Sequence, residues 1–414
     1  MKRRVVITGL GALTPVGNDV ASTWRALLAG ESGAGPITQF DASSFPVRIA
    51  CEVKNFDPLQ FMDRKEAKRA DLYTQYAIAA SVEAMRDAGF GDGTGFDPFE
   101  SGVIMGSGIG GLKIFEAQHD VYRSLGPSKI SPFFIPMFIS NIAAGIVSMR
   151  FGLKGPNLAT VSACSTSGHS IGEAYRTIQY GDADVMLAGG AEATITPMAI
   201  GGFANMKALS ERNDDPKAAS RPFDRDRDGF VAGEGAGVVV LEELSHALGR
   251  GATIHGEIAG YGATGDAYHL TATAPEGEGA QRAMRRAMRD AAITPEQVDY
   301  INAHGTSTPQ GDPNEIRAIK AVFGEHAYKL NVSSTKSMTG HLLGAAGGLE
   351  FIVALLATKE GKIPPTINQV NADPDCDLNI TPNVAVERPV TVALSNVFGF
   401  GGHNVSLAVK RYEP

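Results

Sequence analysis

The stretch TVSACSTSGHSIGEA, residues Thr160 to Ala174, carries one of only three cysteines in a chain of 414 residues. It predicts a strand over Leu158–Val161, then small residues around Cys164, then a helix of small and apolar residues. Nothing bulky flanks Cys164, so the thiol is either a small buried core residue or a nucleophile on a strand-to-helix turn. In the second case free backbone N–H groups and the helix dipole would stabilise its thiolate. The stretch by itself leaves both interpretations open.

Length and composition favour a large globular protein. A hydrophobic content of 43% can bury a core sized for two domains or for one duplicated domain, and 49 glycines suit many tight strand–helix turns. The net charge of −8 disfavours nucleic acid as a partner. The N-terminal MKRRVVITGLG lacks the apolar run of a signal peptide, and no apolar run of ~18 residues predicts a membrane helix. Three cysteines without metal-ligand spacing argue against a disulfide framework, so we expect a reduced, cytoplasmic protein.

Strand-like and helix-like segments alternate along the chain. They occur in the order Arg4–Thr8, Val20–Leu28, Ser101–Met105, Leu112–Tyr122, Val185–Ala188 and Gly237–Leu241. A longer helix is predicted over Ala70–Ala88, where small and apolar residues recur with the period of a buried helix. The alternation predicts an α/β fold in which helices cover a sheet.

Two pairs of segments suggest an internal repeat. GHSIG at 168–172 matches GHLLG at 340–344, and each runs into a helix-like segment that ends at Gly181 or Gly361. VVITGLGALTPVG, from Val5, echoes EIAGYGATGDAYH, from Glu257. The common order of these matches predicts two similar halves.

We place the halves at residues 1–252 and 253–414. On the Gly-His match, the turn that carries Cys164 in one half would correspond to the turn with Lys336 and His341 in the other. Pseudo-twofold packing would then bring both turns to one central site.

Two further segments could carry chemistry. In YINAHGTSTP, from Tyr300, a strand pattern ends at His304 and is followed by glycine and hydroxyl residues that could line a pocket. On its own, His304 is equally consistent with a structural and a catalytic role. NVFGFGGHN, from Asn396, places aromatic residues on a glycine-rich hinge with free backbone N–H groups.

Four motifs together resemble a known family: ACST at 163–166, AHGTSTPQGD at 303–312, KSMTGHLLGAAG at 336–347 and NVFGFGGHN at 396–404. They are similar to the β-ketoacyl-[acyl-carrier-protein] synthases, most closely to the elongating type of bacterial fatty-acid synthesis. The resemblance spans the chain from VVITGLG to the last strand. It implies a thiolase-like α/β fold whose two pseudo-symmetric halves form a layered α-β-α-β-α core. One departure is His403, which stands where some members carry threonine.

The resemblance implies an acyltransferase that performs a decarboxylative Claisen condensation. An acyl chain on Cys164 would be joined to malonyl-acyl-carrier protein, giving a 3-oxoacyl-carrier protein in fatty-acid elongation. His304 and His341 would donate hydrogen bonds to the enolate, and the backbone N–H groups of Cys164 and Phe400 would hold the tetrahedral oxyanion. No cofactor and no metal are implied.

Lys336 is also implied in the site. A surface lysine fits poorly among the small residues STKSMTG, and a buried one needs carboxylate partners to keep its charge. We expect Asp312 and Glu315 to be those partners and Glu350 to be a structural carboxylate on the following helix.

Four other residues are implied in substrate binding. Thr306 and Thr308 resemble the threonines that hydrogen-bond the phosphopantetheine arm. Ile109 and Phe203 match positions that line the acyl pocket, although as apolar residues they would otherwise be read as core.

The resemblance also implies partners. These are acyl- and malonyl-carrier proteins and a second copy of the chain, without nucleic acid or membrane. The segment Phe133–Phe138 is too apolar for a free surface, so we expect it near a homodimer interface. The basic residues Arg64, Lys65, Lys68 and Arg69 are either a solvated helix face or a docking patch for the acidic carrier protein.

Other functions fit the sequence less well. A thiolase would need a second reactive cysteine near the C-terminus, and Cys376 lies outside any motif. A chain-length factor would lack Cys164. The strongest alternative is a ketosynthase of a type II polyketide pathway, which keeps the same catalytic residues.

Two segments mimic ligand-binding motifs. Residues 106–111 fit G-x-G-x-x-G after a strand, but no acidic strand end follows about 20 residues later, which disfavours nucleotide binding. Asp224–Gly229 resembles the start of a calcium loop, yet Gly235 occupies position twelve and two arginines intervene. We predict an internal ion-pair turn there.

Overall fold

The structure is a computed structural model that describes residues 2–91 and 93–413. The strands of this part of the chain are β1 (Val5–Leu13), β2 (Gly35–Pro36), β3 (Ile49–Ala50), β4 (Ser101–Gly106), β5 (Asn157–Leu158), β6 (Val185–Glu192), β7 (Gly235–Glu243), β8 (Gly256–Gly265), β9 (Tyr300–Asn302), β10 (Asn331–Ser333), β11 (Lys362–Ile363), β12 (Val386–Glu387), β13 (Val392–Gly399) and β14 (His403–Lys410).

Its α-helices are α1 (Val20–Leu28), α2 (Arg64–Ala67), α3 (Leu72–Asp87), α4 (Leu112–Leu125), α5 (Phe134–Phe138), α6 (Ile142–Phe151), α7 (Thr166–Tyr180), α8 (Pro197–Asn205), α9 (Leu244–Gly249), α10 (Glu278–Asp290), α11 (Gly311–Phe323), α12 (Lys336–Thr339) and α13 (Ala346–Glu360). The long helix expected over Ala70–Ala88 is confirmed as α3. All six alternating segments lie at strands or helices of the predicted type.

The central sheet has ten strands in the order β10-β9-β13-β14-β8-β1-β7-β6-β4-β5. From either edge inward, two parallel pairings are followed by two antiparallel ones. The two five-stranded halves meet where Val5–Ile7 of β1 pairs with Gly256–Ile258 of β8. The sheet order therefore has an approximate twofold axis between β1 and β8.

Helices lie between the two halves and on their outer faces. In the middle, α7 packs on β6 and on α13, while α13 packs on β7 and β13. Outside, α3 covers β1 and β7, and α10 covers β8 and β14. These layers form the expected α-β-α-β-α core, and the thiolase-like fold class is confirmed.

The outer helices α3 and α10 pack closely on the sheet at the glycines of the VVITGLG and EIAGYG segments. A Cβ atom on Gly11 would lie 1.9 Å from the carbonyl oxygen of Ala80 in α3, and one on Gly262 would lie 2.0 Å from that of Ala283 in α10. Only glycine permits so close a helix, so this pair of segments plays the same packing role in both halves.

The Gly-His match predicted a wrong register for the repeat. Helices α7 and α13 begin 180 residues apart and end 180 residues apart, at Gly181 and Gly361 in the left-handed conformation. The two Gly-His pairs are 172 residues apart. The residue equivalent to Cys164 is therefore Gly344, and the turn with Lys336 and His341 is not its counterpart. The match failed because Gly168-His169 lies within α7, whereas Gly340-His341 lies in the extended segment before the turn into α13.

The strand expected over Leu158–Val161 is also shorter than predicted, since β5 ends at Leu158. The side chain of Thr160 hydrogen-bonds the carbonyl of Thr166 (2.8 Å) and the hydroxyl of Ser170 (2.7 Å). These local bonds hold residues 159–162 in an irregular path toward the Cys164 turn.

Candidate active site

Cys164 lies on a tight turn directly before α7. Residues Ala163–Ser165 form one 3-10 turn, and Ala163 has φ +50°, a conformation that costs free energy for a residue with a side chain. The thiol is buried. A Cβ atom on Gly399 would lie 3.2 Å from the Cys164 nitrogen, so small residues are needed around this turn. The expected turn is confirmed, with the helix itself starting two residues after the cysteine.

Two histidines from the C-terminal half lie at the thiol turn, and one of them contacts the sulfur. His341 Nε2 lies 2.9 Å from Cys164 Sγ. The rings of His304 and His341 are perpendicular, with centroids 5.4 Å apart. The backbone N–H of His341 donates to the carbonyl of Val231 (2.8 Å), and Phe230 packs edge-on against its ring at 5.4 Å. The structure thus brings Cys164, His304 and His341 together.

Burial controls the charge of all three side chains. It raises the pKa of the Cys164 thiol to about 12, although Lys336 opposes this shift. Burial, reinforced by the charge of Lys336, holds the pKa of His304 and of His341 well below 6.5. His304 as a whole residue is intermediate in exposure. The expected help from the helix start is thus smaller than the effect of burial, and the pKa shifts favour a neutral thiol beside two neutral imidazoles in the resting protein.

The partner of Lys336 differs from the expected one. Its ammonium forms a buried ion pair with Glu350 of α13, not with Asp312 or Glu315. Glu315 accepts the backbone N–H groups of His304 (2.9 Å) and Gly305 (2.8 Å). Burial raises the pKa of Glu315 to about 7. Glu315 therefore holds the His304 segment, and the supposedly structural Glu350 is the counter-ion of Lys336.

Asp312 also serves the backbone. Its carboxylate accepts the N–H groups of Phe223 (2.9 Å) and Ser307 (3.1 Å) and lies 3.8 Å from the Arg227 guanidinium. It fixes the loop that carries Thr306 and Thr308, whose hydroxyl oxygens are 3.0 Å apart.

The loop after β13 reaches over Cys164. The backbone N–H of Phe400 is directed at the Cys164 sulfur and favours its ionised form. Gly401 (φ +86°) donates its N–H to the carbonyl of Leu270 (2.7 Å). His403 begins β14, and its carbonyl accepts the hydroxyl of Ser165 (2.9 Å). The structure therefore places Phe400 at the site and joins His403 to the nucleophile turn through its backbone.

The two predicted acyl-pocket residues pack in the same apolar cluster as Cys164. Ile109 and Phe203 are partly buried against that cluster, which includes Ile200 and Leu343.

Residues 106–111 and the Asp224 turn both make internal hydrogen bonds. The N–H groups of Gly108 and Ile109 donate to Glu192 and are not free for a phosphate. Asp224 accepts three backbone N–H groups and lies 3.8 Å from Arg221, which confirms the ion-pair turn.

Sequence reasoning missed Glu192 altogether. It ends the apolar strand β6, where AGGAE reads as a strand reaching the surface, yet its side chain is fully buried. A carboxylate at the end of a buried parallel strand was the available signal.

A five-layer fold with a buried Cys–His–His cluster between its halves is that of a thiolase-like condensing enzyme. Residues 2–247 match the family described as Beta-ketoacyl synthase, N-terminal domain, and residues 255–370 match Beta-ketoacyl synthase, C-terminal domain. The chain belongs to this family.

Named relatives cover the whole chain. It is 54% identical over 412 residues to the 3-oxoacyl-[acyl-carrier-protein] synthase 2 of Synechocystis sp., covering 100% of this chain and 99% of that protein. A β-ketoacyl synthase from Burkholderia phymatum superposes with a TM-score of 0.93 at 36% identity, covering 99% and 100% of the two chains. A chain from the solved complex of a type II polyketide synthase acyl-carrier protein with its ketosynthase superposes with a TM-score of 0.91 at 34% identity. The match covers 100% of both chains.

In the described part of the chain, no helix combines the length and apolar character needed to cross a membrane.

Proposed function

We propose that this protein condenses an acyl-enzyme with malonyl-acyl-carrier protein to form 3-oxoacyl-acyl-carrier protein in fatty-acid elongation. The observation that carries the proposal is the 2.9 Å separation of His341 Nε2 from Cys164 Sγ, with His304 beside it. The names of the relatives that match the full chain support the same reaction.

In the first half-reaction Cys164 Sγ attacks the thioester carbonyl of an acyl-carrier protein. The Nε2–H of neutral His341 donates to the sulfur as negative charge develops there, and Lys336 favours that charge. The N–H groups of Cys164 and Phe400 hold the tetrahedral oxyanion; removing one such donor typically costs ~3 kcal/mol. The carbonyl–sulfur bond of the incoming thioester then breaks, and the thiol proton ends on the departing phosphopantetheine sulfur.

In the second half-reaction the malonyl thioester occupies the space beside the two histidines. Its thioester oxygen accepts hydrogen bonds from His304 and His341 as the bond to carbon dioxide breaks. Their depressed pKa values suit this role, because a neutral imidazole donates without being titrated. The enolate carbon attacks the acyl carbonyl, the new carbon–carbon bond forms, and the Cys164 sulfur leaves and regains a proton.

Lys336 and Glu350 support the site as a buried pair. The ammonium lies close enough to lower the pKa of both histidines and of Cys164, while Glu350 balances its charge. Removing either partner would leave an uncompensated buried charge.

Substrate contacts follow from the surrounding residues. We assign Thr306 and Thr308 to the phosphopantetheine arm because they follow His304 in the same loop and their hydroxyl oxygens are 3.0 Å apart. We assign Ile109 and Phe203 to the acyl pocket because they share the apolar cluster of Cys164.

The acyl carrier protein is the inferred partner, and the solved carrier-protein complex of a ketosynthase relative supports it. Arg64, Lys65, Lys68 and Arg69 are all exposed, and Arg69 lies 4.2 Å above the Phe133 ring. We propose that these four residues dock the acidic carrier protein.

A homodimer is the inferred assembly. Strand β5 is an edge strand of the sheet, and its Leu158 is exposed. The apolar side chains of Ile135, Met149 and Val161, from neighbouring segments of the chain, are exposed as well. Pairing of two β5 strands would continue the sheet and cover these side chains. We also propose that residues 1–252 and 253–414 are the two units of the repeat. Cys51, Cys164 and Cys376 are all free, and we propose that this reflects a reducing cytoplasm.

The test is condensation by the purified protein with malonyl-carrier protein and acyl-carrier proteins of graded length. Fatty-acid elongation predicts 3-oxoacyl products from saturated primers of several lengths. Repeated extension of one primer without reduction of the 3-oxo group would favour the alternative, a type II polyketide ketosynthase, which the similarity to polyketide ketosynthases suggests.

A further inference from the structure

One buried carboxylate outside the Cys–His–His cluster joins the end of β6 to two other segments that meet at the site. Glu192 Oε1 accepts the hydroxyl of Ser107 (2.6 Å) and the N–H of Ile109 (3.3 Å). Its Oε2 accepts the N–H groups of Gly108 (2.8 Å) and Gly344 (2.9 Å). Three of these four donors are backbone N–H groups, which can only donate, so the arrangement suits an ionised carboxylate.

The segments held by Glu192 carry different parts of the site. Residues 106–111 bear Ile109 of the acyl pocket and belong to the N-terminal half, whereas Gly344 follows His341 in the C-terminal half. Cβ atoms on Gly108 and Gly344 would lie 2.7 Å and 2.6 Å from Glu192 Oε2. The carboxylate therefore fills the space between the two backbones, and neither can move without breaking a hydrogen bond to it.

Burial raises the pKa of Glu192, and the hydrogen bonds from Ser107, Gly344, Gly108 and Ile109 oppose that shift. Loss of any of these donors would leave the buried carboxylate less well compensated.

We propose that Glu192 is a positioning residue whose reach holds the acyl-pocket loop against the turn after His341. This inference rests on the roles proposed for Cys164 and Ile109. The reach of Glu192 fixes where Ile109 stands when an acyl chain enters the pocket.

Two substitutions test this role in different ways. Glu192→Gln keeps the length of the side chain but removes the charge and presents an amide N–H to donors. Glu192→Asp keeps the charge but withdraws the carboxylate by one methylene. Glu83→Gln is the matched control, because Glu83 is a largely buried carboxylate that accepts the N–H groups of Ala12 and Val20, both at 2.8 Å.

The reach is tested by acyl transfer from four-carbon and twelve-carbon acyl-carrier proteins. Both Glu192 variants should lower the twelve-carbon rate relative to the four-carbon rate by several fold, while Glu83→Gln leaves the ratio unchanged. An unchanged ratio in Glu192→Asp overturns the positioning effect, and this variant decides the question if Glu192→Gln does not fold. A wild-type protein that accepts both acyl chains but does not condense them with malonyl-carrier protein would contradict the proposed function and leave the acyl-transfer test of Glu192 intact.

Discussion

The two turns that begin α7 and α13 have nearly the same backbone and opposite chemistry. Ala163 has φ +50° and Leu343 has φ +48°, and each is followed by a 15-residue helix that ends at a left-handed glycine. One turn presents the Cys164 thiol, whereas the equivalent Gly344 gives its N–H to Glu192. The fold therefore supplies the strained turn twice and uses it once for a nucleophile and once to anchor the opposite half.

The largest expected effect comes from removing the nucleophile from the first turn. Cys164→Ala should abolish acyl-enzyme formation and condensation while the protein stays folded, because a small residue replaces a small one at a crowded position. Radiolabelled acyl transfer measures the loss of the acyl-enzyme, and thermal unfolding measures whether the variant stays folded. Near wild-type condensation by the variant would show that the two turns do not differ in the proposed way.

The next largest effect concerns the histidines. His304→Ala and His341→Ala should each slow malonyl decarboxylation by orders of magnitude, since each removes a donor to the enolate oxygen. Acyl transfer to Cys164 should suffer less in His304→Ala than in His341→Ala, because only His341 lies against the sulfur. Separate assays of carbon dioxide release and acyl transfer distinguish these outcomes. Equal loss of both half-reactions in both variants would argue for a general-base triad instead.

The pH dependence of decarboxylation follows from the same histidines. Both have pKa values held well below 6.5, so they stay neutral above that pH and become charged only in more acidic solution. The rate should therefore be flat between about pH 6.5 and pH 8 and fall only below that range. The measurement is best made on Cys164→Gln, where condensation does not interfere. A fall in rate centred near pH 6.5 would show that an ordinary exposed histidine carries the step.

A smaller effect is expected in the pocket beside the nucleophile turn. Ile109→Phe adds ring volume to a packed cluster, at a cost of about 1–3 kcal/mol for chains that must pass it. Long acyl primers should therefore react more slowly than two-carbon primers, with decarboxylation little changed. Equal loss on two-carbon and twelve-carbon primers would mean that residue 109 supports the site in general.

The smallest effect concerns stability alone and tests the second turn. Gly344→Ala would place Cβ 2.3 Å from the Gly108 nitrogen, so the two halves must separate locally and the melting temperature should fall. Gly145→Ala in α6 meets nothing within 4 Å and should leave the melting temperature unchanged or raise it, because alanine favours a helix by about 0.5–1 kcal/mol. Equal melting temperatures in the two variants would show that the Gly344 contact is not tight.

The sequence predicted the identity of the main site residues because their motifs are local. Cys164, His304 and His341 each follow a short element that ends at the site, and the structure brings all three together. It did not predict which carboxylate meets Lys336. Asp312 and Glu315 are near the AHGTSTP motif in sequence, but the start of α11 directs them to backbone N–H groups of residues 304–307.

Other features depend on long-range geometry that no local pattern contains. The sequence around Glu192 is that of an ordinary strand end, and only the approach of two other segments in the fold gives its carboxylate four donors. The register of the repeat was misread because identical Gly-His pairs lie on different sides of a turn. The neutral thiol was missed because a helix start favours a thiolate, whereas burial of Cys164 outweighs that effect.

The central claim is that Cys164, and not its counterpart turn, carries the acyl chain. The most direct measurement is mass spectrometry of the protein after incubation with dodecanoyl-acyl-carrier protein in the absence of malonyl-carrier protein, followed by peptide mapping. The account predicts one dodecanoyl adduct per chain, located on Cys164 and absent from Cys164→Ala. An adduct on Cys51, Cys376 or any other residue, or an unmodified wild-type protein, would contradict it.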